Sequence, residues 1–69
     1  MIEVFKTNIE QASEADMLLK FLQQHFPGTK INIDLHDCDK VLRIEGKNFA
    51  PVHVMRLVKE KGFYCSVLE

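Results

Sequence analysis

Thiols, imidazoles and carboxylates are the groups with which so short a chain can hold a metal ion or a charged partner. They concentrate in two stretches. One is His36-Asp37-Cys38-Asp39, which sets a thiol and an imidazole among acids. A thiolate beside an imidazole suits copper or zinc, so His36 and Cys38, with Glu14 as a further donor, make one candidate metal site. The spacing matches no established metal motif, and aspartates in such a connector also make turns. The other stretch is Glu10-Gln11-Ala12-Ser13-Glu14-Ala15-Asp16. Its carboxylates can meet a basic partner, or can simply complement the positive end of a helix dipole. No nucleophile–base pair and no carboxylate dyad stands out, which argues against an enzyme. Cys38 and Cys65 are too few for a disulfide framework and read as reduced thiols.

These residues are positioned by a simple succession of elements. Ile2, Val4 and Phe5 mark a first strand up to Lys6. Ala15, Leu18, Leu19, Leu22 and Phe26 then fall on one helical stripe, predicting a helix from about Ser13 to His25. Ser13 with Asp16 resembles a capping pair, and Pro27-Gly28 ends the helix. Lys30 to Leu35 alternates strictly, with Ile31, Ile33 and Leu35 on one side. A polar connector leads to a third strand from Val41 to Gly46, Leu42 and Ile44 inward, which makes the pair a hairpin. Pro51 opens a second helix with Asn48 as its expected cap. Val54, Leu57 and Val58 share the inner face, and Gly62 stops it. Phe63 to Leu68 is the last strand, with Phe63, Cys65 and Val67 assigned inward.

Composition narrows the function classes. The 69 residues are 46% hydrophobic, 9% aromatic and 28% charged, which suits one folded domain spanning residues 1–69. A formal net charge of −1 offers no basic field for nucleic acid or an anionic membrane. No apolar run reaches the length needed to span a bilayer, and the start of the chain lacks the pattern of a signal peptide. A cytoplasmic location is the expectation.

The order βαββαβ predicts an α+β, ferredoxin-like sandwich: a four-stranded antiparallel sheet, order 4-1-3-2, with two helices on one face. That topology brings Glu10 to Glu14, His36 to Asp39 and Phe63 to one end of the sheet. It also sets the strands near Cys38 and Cys65 at opposite edges, too far apart for an intramolecular disulfide. Other users of this fold fit less well. RNA-recognition modules expose aromatics on the third strand, where this chain has Val41, Arg43 and Glu45. Acylphosphatase-like enzymes need an arginine in the first loop, and Phe5 to Glu14 has none.

Four segments together resemble the heavy-metal-associated domain of copper chaperones and metal-pumping ATPases. They are Phe5-Lys6-Thr7-Asn8-Ile9, Pro27-Gly28, Asp39-Lys40-Val41-Leu42-Arg43-Ile44-Glu45-Gly46 and Lys61-Gly62-Phe63. The resemblance implies a soft-metal site after Ile9, where the family carries Cys-x-x-Cys, with Phe63 as the aromatic beside it. Counted from Ile9, the two thiol positions hold Gln11 and Glu14; counted back from Pro27, they hold Ala12 and Ala15. Neither register has a cysteine, so the family's metal chemistry does not transfer to this loop. The expectation is a protein without cofactor that docks another protein through Glu10, Gln11, Glu14 and Phe63. The alternative is a copper or zinc carrier using His36 and Cys38.

Overall fold

Alternation and helical periodicity become β1 (Ile2–Thr7), α1 (Ala12–His25), β2 (Lys30–Asp34), β3 (Val41–Glu45), α2 (Pro51–Glu60) and β4 (Cys65–Val67) in a computed structural model, which describes residues 1–68. The strands form one open antiparallel sheet in the order β2-β3-β1-β4. This is the strand order expected from the sequence. β1 therefore lies inside the sheet, paired with β3 on one side and β4 on the other. Phe5 faces Leu42 across one ladder and Val67 across the other.

One cluster of buried side chains joins both helices to one face of the sheet. Phe5, Leu42 and Ile44 from the strands meet Leu18 and Leu22 of α1 and Val54 and Val58 of α2, all fully buried. Ile31 and Ile33 pack on this cluster from the sheet's edge and are only half-buried. The helices form where they do because their apolar residues recur at helical spacing and can reach that face. Glycines with positive φ follow each helix: Gly28 at 84° and Gly62 at 91° turn the chain back toward the sheet. Among the described residues, no helix is long and apolar enough to cross a membrane.

Several boundaries differ from expectation. α1 begins at Ala12 with Gln11 as its N-cap, not at Ser13, because Glu14 rather than Asp16 reaches back to the cap. α2 is capped at Ala50, not Asn48, since Pro51 sets the first helical φ directly after it. β2 stops at Asp34, whose side chain accepts from the His36 N–H and begins the turn before Leu35. β4 is reduced to Cys65–Val67. Val67 shares the side of Cys65, but on this short edge strand it remains 36% exposed.

Candidate functional site

The loop after β1 is fixed by Thr7 and Asn8. Thr7 is 4% exposed, and its hydroxyl donates to the Lys40 carbonyl while accepting from the Ile9 N–H at 3.3 Å. Its own N–H donates to the Asp39 carbonyl at 3.0 Å. A polar side chain is tolerated in this buried position because every such bond is satisfied. Asn8 ties the opposite side, its Oδ1 accepting from the Tyr64 N–H at 2.8 Å. Two adjacent residues thus clamp the β1–α1 loop to the β2–β3 turn and to the approach of β4. Ile9 follows them fully buried, anchoring the loop in the core.

Gln11 and Glu14, the thiol positions expected in the register counted from Ile9, are committed to the head of α1. The Gln11 N–H donates to Glu14 Oε1 at 3.2 Å, and the Ala15 N–H donates to the Gln11 carbonyl at 3.1 Å. Glu14 therefore satisfies an otherwise unpaired backbone donor and sets negative charge at the positive helix end. Glu10 and Gln11 are exposed beside it. In the other register, Ala12 is exposed while Ala15 is 7% exposed within the core cluster.

The β2–β3 turn is built by its own aspartates. Asp37 Oδ1 accepts from the Asp39 N–H at 2.8 Å, and the Lys40 N–H donates to the Asp37 carbonyl at 3.0 Å. Lys40 completes the turn at φ 46°, and its ammonium donates to the Leu35 carbonyl at 2.9 Å. Asp39 also lies 3.6 Å from Lys6 Nζ across the end of β1. Cys38 is exposed in this turn. Its sulfur and one carboxylate oxygen each of Asp37 and Asp39 lie within 4.8 Å of one another. His36, also exposed, is not one of that group.

The remaining candidates separate cleanly. Phe63 is half-buried and packs against the core rather than standing open beside the loop. Cys65 is 1% exposed, and burial pushes its thiol up to about 11, against a smaller opposing pull from the Lys59 ammonium. Such a thiol packs rather than reacts. Both cysteines are free. Thr7, Asn8 and Tyr64, the residues that hold this end together, are not among the expected site residues; Thr7 and Asn8 enter only as part of the Phe5–Ile9 segment, and their roles depend on partners distant in sequence. A groove between Pro27–Lys30 and Glu45–Asn48 lies at the other end of the sheet, away from all of these groups.

Comparison of the chain with protein-family models, with curated proteins and with solved structures finds no significant match.

Proposed function

We propose that this chain is a non-catalytic interaction module. Its ferredoxin-like scaffold resembles the heavy-metal-associated domain but carries no thiol pair, and it docks a protein partner through the end where that domain holds its metal. One observation supports this reading above the others. Gln11 and Glu14, where that family carries its thiols, are tied to each other as a helix cap. Neutral amide and carboxylate oxygens are hard donors and do not suit Cu(I). Glu10, Gln11, Cys38 and Tyr64 are exposed, and Thr7 and Asn8 pin the frame that carries the first loop. A rigid, exposed, partly acidic loop end fits a cytoplasmic role in recognition better than one in chemistry.

The first test is competition of the reduced protein against a Cu(I) chelator. The expected result is no stoichiometric complex. Tight one-to-one binding that survives Cys38→Ser and Cys65→Ser would overturn the reading. The second test places a photo-crosslinking residue at Glu10 or Tyr64, with Val52 on the exposed side of α2 as control. The same discrete partner should be trapped from the first two positions and not from the third.

A second reading, a copper or zinc carrier with non-standard ligands, is favoured by the approach of Asp37, Cys38 and Asp39. It requires metal binding that Cys38→Ser abolishes and that His36→Ala weakens.

A further inference from the structure

β2 is an edge strand of five regular residues, and no strand covers its outer side among the described residues. The sheet's hydrogen bonding fixes which of its backbone groups point outward. Gly46 donates to the Met1 carbonyl at 2.9 Å, and Leu68 donates to the Val4 carbonyl at 2.9 Å. In antiparallel ladders bonded and non-bonded pairs alternate. The first bond therefore makes Glu3–Ile44 and Phe5–Leu42 the bonded pairs between β1 and β3, and the second agrees by turning Val4 and Lys6 toward β4. Val41, Arg43 and Glu45 are left to bond β2, through Asp34, Asn32 and Lys30 respectively. Ile31 and Ile33 consequently present their N–H and C=O groups to the open edge. An uncovered edge of this kind is a template for another strand.

The side chains select which strand. We infer that the β2 edge pairs antiparallel with the β2 edge of a second copy of this chain, centred on Asn32, to make one continuous sheet across two molecules. In that register Ile31 of each copy lies opposite Ile33 of the other, and each such pair exchanges both of its backbone hydrogen bonds. On the helix side the half-buried Ile31 and Ile33 gain cover from their counterparts. On the open side Lys30 lies opposite Asp34 of the second copy, and Asp34 opposite its Lys30. These are the close, non-bonded positions where cross-strand charge pairs act most strongly. Within its own sheet Lys30 is in register with Glu45, whose carboxylate pairs with Arg43 at 3.8 Å, so Lys30 has no ion-pair partner among the described residues. Sliding the register by two residues keeps the backbone bonds but sets Lys30 against Asn32 or His36, and both charge pairs are lost. The other edge has no such pattern, since β4 pairs over only three residues. A five-residue ladder buries less than a permanent interface needs, so the dimer is reversible and concentration-dependent. This inference is independent of the loop end, which lies outside the strand.

The test uses the full chain under reducing conditions, with sedimentation equilibrium from micromolar to millimolar concentration. The unaltered protein should show a monomer–dimer equilibrium. Lys30→Asp alone sets acid against acid at both ends of the ladder, and Asp34→Lys alone sets base against base. Each should weaken self-association by about tenfold or more. An equimolar mixture of the two variants restores every opposite pair and should associate at least as well as the unaltered chain. Thermal melts establish that each variant folds. A semisynthetic chain N-methylated at Ile33 supplies a further arm, because it removes an outward donor while leaving the side chain and the β3 ladder intact. It should be monomeric. In a mixed isotope-labelled sample, contacts between Ile31 of one chain and Ile33 of the other should appear. A monomer throughout the range, single reversals without effect, or a mixture that fails to recover would each overturn the inference.

Discussion

Gly46→Ala should destabilise the protein, although the backbone there is not in the left-handed region that demands glycine. Alone, the exchange reduces the freedom of the unfolded chain and favours folding by ~0.4–1 kcal/mol. The added Cβ, however, would stand 2.6 Å from Thr29 Cγ2 and 3.3 Å from Thr29 Cβ. Thr29 cannot easily turn aside, because its hydroxyl donates to the Phe26 carbonyl at 2.6 Å and a β-branched χ1 is stiff. Forcing a methyl into such a contact costs ~1–3 kcal/mol. The clash exceeds the entropic gain, leaving a net loss of roughly 1–2 kcal/mol. Thr29→Ser removes Cγ2 and retains the hydroxyl bond, so the Cβ–Cβ contact has only to relax by a few tenths of an ångström. In that background Gly46→Ala should be nearly neutral, with a coupling of about 1–2 kcal/mol. Urea unfolding of the four chains, at constant m-value, measures it. Equal costs for Gly46→Ala in both backgrounds would show that Thr29 is not what glycine accommodates.

Leu42→Ala, at a fully buried position facing Phe5 and Ile33, should cost ~2–5 kcal/mol in the same assay, and a parent-like curve would mean the register of β3 is wrong. Stability should also fall at alkaline pH. The Cys65 thiol holds its proton up to about 11 when folded but ionises near 9.0 when exposed, so between these values the unfolded state binds fewer protons. The contribution is intact below about 9 and shrinks by roughly 2–3 kcal/mol as pH rises toward 11; Cys65→Ala should flatten that slope. Gln11→Cys with Glu14→Cys should create a Cu(I) site, weaker than a chaperone's because Glu10 and Asp16 oppose the thiolates. Ala12→Cys with Ala15→Cys should bind poorly and lower the melting temperature, since Ala15 is buried; equal binding by both pairs would refute the register counted from Ile9.

The strand and helix order was legible because each element carries its own period. Leu42 and Ile44 alternate with Arg43 and Glu45, and Ala15, Leu18 and Leu22 repeat at helical spacing. The convergence of the first loop with the β2–β3 turn was expected from topology alone, and the bonds from Thr7 to Asp39 and Lys40 tie the end of β1 to that turn. What escaped reading depended on atoms distant in sequence or on competition among near neighbours. Ser13 has the better intrinsic claim to cap a helix, yet Gln11 takes the position because Glu14 reaches its N–H. Thr7 reads as an ordinary polar residue until the Lys40 carbonyl is beside it. His36 and Cys38 are close in sequence, but the Asp37 turn groups Cys38 with the flanking carboxylates instead.

The interior place of β1 has a kinetic consequence. Only β2 and β3 are sheet neighbours that follow one another directly, so their hairpin can close over a short loop early in folding. β1 must instead wait for both β3 and β4, the latter from the far end of the chain. Loop-closure entropy opposes those contacts until most of the chain has collapsed. The transition state should therefore hold the β2–β3 hairpin and its packing on α1, with β1 joining late. Substitutions at Val4 or Lys6 would then speed unfolding and leave the folding rate almost unchanged, while those at Ile33 or Leu42 would slow folding itself.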